Sequence, residues 1–339
     1  MKIFSKTLLF LLGFTFVNAE TYYGSASFLK RGMSARALGM GSAYTAVVND
    51  ASATYWNPAG LLQSKDKRFN LLLSDLQDDI LNTESFGDIN SPQFAFSYSF
   101  RKPLLKRIFW AFGVAVNGFF VKDIDHYDFE SNYIDSFNYD EYAVFFSTAF
   151  KIRFLKLGFT WKYIEQNFDI DNSFSQNNQE SLIRKPHDIG VLFNPTKYLT
   201  VGMIVRDSIR VGEYDFYTKN SQLGVKFDLN EIKSSLPSLI FAADVIVIQN
   251  SLNKMNVGIE YEHPFNDDLK VAIRGGICNM IIGMREEIEN LNEISQMNMK
   301  GSLGLGLKFK KVWIDLGWVQ ELRSNPYSQF FVWTISIEP

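Results

Sequence analysis

Residues 301–320 read GSLGLGLKFKKVWIDLGWVQ, and this stretch indicates how the chain folds. Large apolar residues alternate in it with small or charged ones: Leu303, Leu305, Leu307 and Phe309 with Gly304, Gly306 and Lys308. A period of two places every large residue on the same face of a β-strand. Only Lys310 and Lys311 separate this strand from the next one, over 312–320, and so short a connection predicts an antiparallel hairpin.

The same alternation recurs along the chain after residue 68, where it predicts fourteen strands. Aromatic residues make up 15% of the chain and recur on the apolar faces, as a lipid-facing wall with interfacial girdles requires. The predicted strands span 69–73, 93–100, 109–117, 142–152, 155–163, 187–193, 199–206, 221–227, 238–247, 255–262, 269–277, 301–309, 312–320 and 329–338.

The connections between these strands alternate in length. They have 7 to 24 residues after odd-numbered strands and 2 to 10 residues after even-numbered strands. A bacterial outer-membrane barrel has an even number of strands, short periplasmic turns and longer external loops. The pattern therefore predicts an all-β fold, a single 14-stranded antiparallel transmembrane β-barrel with both ends of the sheet on the short-turn side.

The composition agrees with this class and excludes others. The 339 residues are 46% hydrophobic and 21% charged, with a formal net charge of −3. This near balance excludes a polybasic nucleic-acid binder, and the apolar content excludes a largely disordered chain. The mean hydropathy of −0.07 argues against a bundle of transmembrane helices, whereas barrel strands are apolar on one face only.

Residues 1–19 have the features of a cleaved export signal. Lys2 and Lys6 give a positive start, an uncharged run follows over 7–17, and small residues lead to a cleavage site after Ala19. The alternative is a retained anchor, but a helix over that run spans only about 16 Å of a bilayer core of about 30 Å. We therefore expect export to the bacterial outer membrane.

Residues 20–68 differ in composition from the barrel region, residues 69–338. Ser34 is a candidate N-cap of a helix that is rich in small residues and runs to Val48, and residues 49–50 would end it. Fourteen strands enclose more space than their own side chains fill. Segment 20–68 is therefore predicted to be a small, partly helical hatch in the lumen; the alternative is a cap on the soluble side.

A compact turn follows this helix at residues 55–60. Pro58 fixes its own φ and favours an extended conformation for Asn57. Taken together, the N-terminal motifs resemble the signature of the PorV/PorQ family, which belongs to the FadL-like group of long-chain fatty-acid transporter-like outer-membrane barrels. The motifs that carry the resemblance are FLK at 28–30, ARALGMG at 35–41, NDASA at 49–53 and YWNPAGL at 55–61.

This resemblance implies a 14-stranded barrel with an N-terminal hatch. The Asn-Pro-Ala element of the family's hatch matches residues 57–59, its glycines match Gly39 and Gly41, and its acidic turn matches Asp50. The predicted hatch and gating residues are therefore Arg36, Gly39, Gly41, Asp50, Trp56, Asn57, Pro58 and Ala59.

Motifs for catalysis, metal binding or a cofactor are absent from the sequence. His126, His187 and His263 are widely spaced, and with the one cysteine, Cys278, they make no recognisable set of metal ligands. The glycines at 39–41 lack the preceding strand and the third glycine of a dinucleotide fingerprint. We therefore expect neither an enzyme nor a cofactor.

Charged residues also occur in mid-strand, on the faces opposite to the apolar ones. In a barrel these faces line the lumen, where water or a polar plug compensates the charge. Two roles remain open for these residues, which either anchor the hatch through salt bridges or line a ligand path. They are Asp244, Glu260, Arg274 and Asp315, with Lys162 and Arg206.

Two functions fit a plugged barrel of this size. The main hypothesis is a conduit for uptake or transfer of hydrophobic small molecules, with outer-membrane lipid and a hydrophobic ligand as partners. The alternative is a PorV-like component of protein secretion or surface attachment, which docks exported proteins through its external loops. No nucleic-acid partner is expected in either case.

Overall fold

The computed structural model describes residues 29, 31–63, 69–78, 88–100, 108–127, 132–169, 182–184, 187–209, 220–233, 235–248, 253–282, 299–322 and 329–337. The predicted export signal, residues 1–19, lies outside the described residues, as does the start of the predicted hatch, residues 20–28.

The strands form one antiparallel sheet. In chain order they are β1 Phe69–Asp78, β2 Asp88–Ser99, β3 Ile108–Tyr127, β4 Tyr133–Ile152, β5 Leu155–Asp169, β6 Leu182–Arg184, β7 His187–Phe193, β8 Leu199–Ile209, β9 Asn220–Asp228, β10 Ser238–Ile248, β11 Lys254–Pro264, β12 Leu269–Ile281, β13 Lys300–Phe309, β14 Val312–Glu321 and β15 Gln329–Ile337.

The sheet closes on itself because β1 pairs with both β2 and β15, and β4 pairs with β5. The short strand β6 and strand β7 pair with successive parts of β5, so they share one position in the wall. The described strands therefore make a closed 14-stranded antiparallel barrel, and the predicted fold class is confirmed. Closure removes the edges of the sheet in the described strands, except at the short strand β6, which pairs with β5 alone.

Side chains alternate between the outside and the lumen, as the period of two predicts. On β13, Leu303 and Leu305 are each 57% exposed on the outer face, whereas Ser302 is 5% exposed and faces inward. On β2, Phe94 faces outward and Gln93 is buried on the lumenal side. An outer face of large apolar side chains over a closed ladder suits contact with hydrocarbon.

Several strands extend further towards the long loops than predicted. Strands β3 and β4 have 20 residues each, where the alternation predicted 109–117 and 142–152. Polar residues such as Asp125 and Asn138 continue the pairing beyond the apolar part. Backbone ladder bonds need no apolar side chain, so the alternation marks only the part of a strand whose outer face is apolar.

Residues 31–63, which we call the lumenal segment, contain three short helices: α1 Ala35–Gly39, α2 Ala53–Trp56 and a 310 helix Pro58–Leu62. The prediction of one helix from Ser34 to Val48 is wrong. Helix α1 ends at Gly39, and Ser34 makes no side-chain capping bond. None of the described helices is long and apolar enough to cross a membrane.

Close approach to the wall explains why helix α1 is short. A Cβ added at Gly39 would lie 2.9 Å from the Cα of Gly304, and one at Gly41 would lie 2.6 Å from the backbone nitrogen of Ile277. Gly41 also has a φ of +60°, a left-handed conformation that a helix cannot contain. The backbone therefore turns where it meets strands β12 and β13.

Candidate functional site

The lumenal segment lies inside the barrel and is bonded to the wall on all sides. It is almost wholly buried, including polar residues such as Thr45 and Asn57, whose exposed fraction is 0%. Its hydrogen-bond partners include inward-facing residues of eight strands: Gln93, Ser147, Thr160, Arg206, Asp244, Asn256, Glu260, Ser302 and Thr334. The segment therefore fills the lumen as a plug.

A chain of alternating charges, which we call the charge ladder, joins the lumenal segment to strands β11, β12 and β14. The Arg36 guanidinium donates two hydrogen bonds to Glu260, 2.8 Å from Nε to Oε2 and 2.7 Å from Nη2 to Oε1. Arg274 Nε lies 2.6 Å from the same Oε2, and Arg274 Nη1 lies 2.6 Å from Asp315 Oδ1. Arg36 Nη1 also donates to Asn49 Oδ1 at 2.7 Å.

The charge ladder is buried, and this burial determines how strongly its ion pairs hold the lumenal segment. The side chains of Glu260 and Arg274 are each 1% exposed, so each charge depends on its partners rather than on water. Breaking a buried ion pair leaves an uncompensated charge and is far more costly than breaking an exposed one. Glu260, Arg274 and Asp315 therefore anchor the segment through Arg36, which is one of the two roles that the sequence left open.

Asp244, on β10, binds the backbone of the lumenal segment. Its Oδ2 accepts hydrogen bonds from the backbone N–H groups of Tyr44 and Thr45, at 2.9 and 3.0 Å, and from Gln222 Nε2 at 2.9 Å. A carboxylate that accepts several N–H groups forms strong, charge-assisted bonds. Asp244 thus fixes the turn that follows Gly41 and Ser42.

The Asn57-Pro58-Ala59 element forms the second turn that holds the segment. Asn57 is extended, with φ −167° and ψ 107°, and Pro58 begins the 310 helix, as expected for a residue pair of this kind. The Asn57 side chain accepts from Ala59 N at 3.2 Å and donates to the carbonyl oxygen of Thr45 at 3.1 Å and of Val191 at 3.3 Å. One amide therefore ties two parts of the segment to strand β7.

Glycines of the wall face this turn and the rest of the segment. A Cβ at Gly158 would collide with the backbone of Ala59, and a Cβ at Gly190 would collide with the side chain of Asn57. The same holds elsewhere on the inner wall, where added Cβ atoms would meet the segment at Gly113, Gly202, Gly224, Gly258, Gly276 and Gly304. Backbone thus packs directly on backbone around the plug.

Asp50 and Trp56 form hydrogen bonds within the lumenal segment. Asp50 Oδ2 accepts a hydrogen bond from Tyr44 Oη at 2.8 Å, and Trp56 Nε1 donates to the carbonyl oxygen of Met33 at 2.8 Å. Burial raises the pKa of Tyr44 well above its usual value, and the neighbouring Asp50 carboxylate adds to this shift. Tyr44 therefore stays a donor, and its ring packs edge-on against Trp56.

Lys162 and Arg206 contribute to the same region of the wall. Lys162 Nζ forms a buried ion pair with Asp188 Oδ1 at 2.8 Å, between β5 and β7. Arg206 Nη2 donates to the carbonyl oxygen of Trp56 at 3.3 Å, and its guanidinium lies 5.8 Å from the centre of the Tyr55 ring. Lys162 thus braces the wall, and Arg206 holds the end of helix α2.

The sequence did not single out Asn117, an inward-facing residue of β3. It is 1% exposed, and neither its Oδ1 nor its Nδ2 has a hydrogen-bond partner among the described residues. Phe119 lies two residues further towards the long loops, with the guanidinium of Arg31 4.6 Å from its ring centre. A buried amide without partners is uncommon, and this makes Asn117 a candidate polar group of the lumen. The available signal was an Asn that follows Ala111, Gly113 and Ala115 on the same face of the strand.

Strand pairing is interrupted close to Asn117. The β2–β3 register runs from Asn90↔Phe120 to Gln93↔Asn117 without a pair at Ser91 or Pro92. Pro92 has no N–H to give to the ladder, and the Ser91 hydroxyl instead donates to the carbonyl oxygen of Gly118 at 2.9 Å. The wall is therefore held by fewer backbone bonds at this point.

The part of the chain that the structure describes contains no group of three or more His, Cys, Asp or Glu side chains that could hold a metal ion. His187 on β7 lies beside Phe159, and His263 on β11 lies beside Tyr261. Cys278 is buried as a free thiol.

The comparisons with known proteins agree with this architecture. No family model and no curated protein matches the chain. A deltaS2S3 mutant of TodX, a monoaromatic hydrocarbon channel, superposes with a TM-score of 0.61 at 12% identity, covering 91% of this chain and 99% of that one. The Ralstonia pickettii toluene transporter TbuX gives 0.55 at 16% identity, covering 91% and 98% of the two chains.

A Pseudomonas aeruginosa FadL homologue gives a TM-score of 0.51 at 11% identity, covering 90% of this chain and 98% of that one. The fold is that of the FadL-like hydrocarbon channels. Since the identities are this low, the likeness concerns the fold and not the ligand.

Proposed function

We propose that this protein is a plugged channel of the bacterial outer membrane that takes up hydrophobic small molecules. The observation that carries the proposal is the shared architecture, a plugged 14-stranded barrel that covers 91% of this chain in the superposition on the TodX hydrocarbon channel. The apolar outer face supports a place in lipid. In this proposal residues 1–19 are the cleaved signal, residues 20–68 the hatch and residues 69–338 the barrel.

The inner surface on the long-loop side of the plug supports a hydrophobic ligand. The side chains of Phe145 and Ile164 are buried there, and the Tyr55 ring packs edge-on against Phe145 at 5.9 Å between ring centres. Phe119 and the unpartnered Asn117 continue this surface towards the loops. Ligand sites of this kind are mostly apolar with a few polar groups that fix orientation.

Release of the ligand past the plug would require local movement rather than ejection of the whole segment. The charge ladder, Asp244 and the Asn57 turn each tie a different part of the segment to the wall. Arg36, Gly39, Gly41, Asp50, Trp56, Asn57, Pro58 and Ala59 are thus the proposed hatch and gating residues. Movement of one part leaves the other ties in place.

An uptake experiment tests this function. A Gram-negative host that lacks its own hydrocarbon and fatty-acid channels is made to express the protein, and short-time uptake of radiolabelled toluene and oleate is compared with uptake of a sugar. We expect faster uptake of one or both hydrophobic compounds and unchanged uptake of the sugar, which a plugged lumen excludes. Equal uptake with and without the protein would reject the channel.

The alternative function is a PorV-like role in protein secretion or surface attachment. The close packing of wall glycines on the plug favours it, because a docking protein needs a sealed barrel and no moving hatch. Affinity capture of exported proteins on the outer surface, together with unchanged uptake of toluene and oleate, would support this role. The PorV/PorQ assignment itself remains a prediction from the N-terminal motifs.

A further inference from the structure

Charged residues are unevenly distributed around the short-turn end of the barrel. No Asp or Glu occurs in residues 89–122, 142–164 or 189–206. These ranges contain parts of six consecutive strands of the wall, β2 to β5, β7 and β8, with the short connections that join them in pairs. This part of the wall therefore carries no acidic side chain at its short-turn end. The short connections after β9 and β11 do contain acidic residues: Glu231, Asp267 and Asp268.

Two neighbouring short turns of this part of the wall present exposed cations. Strand β4 ends in a two-residue turn at 153–154, and β5 pairs with β7, so this turn lies beside the connection 194–198. We call these two turns the basic rim. Arg153 and Lys197 are exposed there, and neither has a carboxylate partner among the described residues. Their charges are therefore available to an anionic group outside the protein.

The backbone conformation of Arg153 is not explained by the folding of its turn. Arg153 has a φ of +58°, in the left-handed region. This region is uncommon for residues other than glycine, asparagine and aspartate, and two-residue hairpin turns favour glycine where φ is positive. A strained conformation of this kind persists where the side chain serves another purpose. The turn therefore keeps a long cation at its tip although a smaller residue would fold more easily.

The side chains around Arg153 place this tip at the surface of the bilayer. Ile152 and Phe154 flank it and are 45% and 60% exposed. The Phe154 ring packs edge-on against Phe193, with 5.5 Å between ring centres. Exposed aromatic rings at the end of a barrel strand are typical of the membrane–water interface, where a long cationic side chain reaches the headgroups. The surroundings of Arg153 thus favour lipid over a soluble molecule as its partner.

We propose that the basic rim binds an anionic phospholipid of the leaflet at the short-turn end. Arg153 and Lys197 contact the phosphate group, and the acyl chains lie against Ile152, Phe154 and Phe193. A headgroup with a net negative charge is preferred, because the ammonium group of a zwitterionic lipid is repelled by the same two cations. The site goes beyond the proposed uptake function, since it lies on the outer surface and requires only that the barrel is in a bilayer.

Native mass spectrometry of the full mature protein in a nonionic detergent tests the site. The probes are phosphatidylglycerol and phosphatidylcholine with the same acyl chains, titrated separately. One cation near an anionic lipid surface contributes about 1 kcal/mol, which corresponds to about fivefold in affinity. We therefore expect the first phosphatidylglycerol to bind at least about fivefold more tightly than the first phosphatidylcholine.

Charge-removing variants show whether this preference arises at the basic rim. Arg153→Gln and Lys197→Gln should each weaken phosphatidylglycerol binding by up to about fivefold and leave phosphatidylcholine binding unchanged. Lys310→Gln is the matched control. Lys310 is also an exposed cation in a two-residue turn, with a φ of +55°, but its backbone N–H donates to the carbonyl oxygen of Asp268 at 2.7 Å, so acidic residues lie close by. This variant should keep the preference.

A glycine variant separates lipid binding from a structural role of Arg153. Arg153→Gly removes the cation and relieves the left-handed conformation, so the urea midpoint of unfolding in micelles should rise while phosphatidylglycerol binding weakens. If Arg153 instead stabilises the hairpin, the midpoint should fall and lipid binding should stay the same. That second result would overturn the proposal.

Two further results would also overturn it. One is equal binding of the two lipids to the unchanged protein, which would leave an acidic protein surface as the partner of the basic rim. The other is equal loss of phosphatidylglycerol binding in Arg153→Gln and Lys310→Gln, which would indicate a general effect of net charge. None of these results bears on uptake of toluene or oleate, so failure of the lipid site and failure of the channel remain distinguishable.

Discussion

The β13–β14 hairpin and the lumenal segment are specified in different ways. In the hairpin, Leu305 pairs with Leu316 only eleven positions away, and every second residue repeats the same choice between outside and inside. In the lumenal segment, Arg36 binds Glu260 across 224 positions of sequence, and Ala35 N donates to Thr334 across 299. A local sequence pattern therefore specifies the wall. The position of the plug depends instead on individual contacts between residues that are distant in sequence.

This difference predicts separate consequences for changes in the two regions. The wall closes through its own ladder bonds and its apolar outer face, so changes there act on folding and insertion. Polar contacts hold the plug in place, and it packs closely against glycines of the wall. Changes in the plug should therefore alter how completely the lumen is blocked. The first two experiments below measure both properties, outer-membrane insertion and single-channel conductance.

The largest effect is expected from removal of the plug. Deletion of residues 21–60 behind an intact signal should preserve insertion and raise the conductance in planar bilayers strongly, because a closed 14-stranded wall remains around an unfilled lumen. A weaker change is expected from Asn57→Ala with Pro58→Ala, which loosens one turn. If the deletion variant fails to insert, the segment is required for folding, and the wall and the plug are not independent.

A change on the outer wall should give the opposite result. Leu305 is 57% exposed in the middle of β13, so Leu305→Lys places a charge at the lipid-facing surface. The expected cost is about 2–4 kcal/mol of folding free energy in a bilayer, with no change in the conductance of the molecules that do insert. The matched control is Leu305→Phe, which keeps the surface apolar. Equal yields of the two variants would show that this face does not meet lipid.

A third experiment addresses the space between the two regions. Gly158→Val pushes a side chain into the backbone of the 310 helix at Ala59. Overpacking of this kind costs about 1–3 kcal/mol, and we expect it to appear as a partly displaced plug with intermittent channel opening. Gly275→Val is the control, since the nearest atom to an added Cβ there is 3.9 Å away. The measurement is the frequency of opening events for the two variants and the unchanged protein.

These contrasts also explain how much of the molecule was predictable. The barrel, its strand number and the inward position of Asp244, Glu260, Arg274 and Asp315 follow from the period of two, since one residue of register decides the facing of a whole strand. The extended Asn57 before Pro58 followed from local sterics. These features depend on residues that are close together in the sequence, so they can be predicted from the sequence pattern.

The features that were missed depend on distant contacts. The predicted helix to Val48 fails because Gly39 and Gly41 meet strands β12 and β13, which no local propensity reveals. The predicted ends of β3 and β4 fail because pairing continues past the apolar alternation. The role of Ser302 was missed for the same reason. Its hydroxyl oxygen accepts a hydrogen bond from Gly41 N at 2.9 Å, and this contact is not visible in the sequence around Ser302.

The smallest expected effect concerns a single hydrogen bond inside the plug. Tyr44→Phe removes the bond from Tyr44 Oη to Asp50 Oδ2, which is 2.8 Å long, and leaves the ring packing on Trp56 intact. The loss should cost about 1.5 kcal/mol of unfolding free energy, the lower end of the range of about 1.5–3 for hydrogen bonds to a charged group. Urea unfolding in detergent micelles at neutral pH measures it.

The pH dependence of that difference tests the environment of Tyr44. Burial raises the pKa of the native Tyr44 well above its usual value, while in the unfolded chain it ionises near pH 10, so the unfolded state loses its proton first. Protons bound by the native but not the unfolded state make stability fall as pH rises. Above about pH 10 the unchanged protein should therefore lose stability faster than Tyr44→Phe, since the other tyrosines are common to both, and the gap between them should narrow. A gap that stays constant from neutral pH into this range would mean that Tyr44 ionises equally in both states, and that water reaches the interior of the plug.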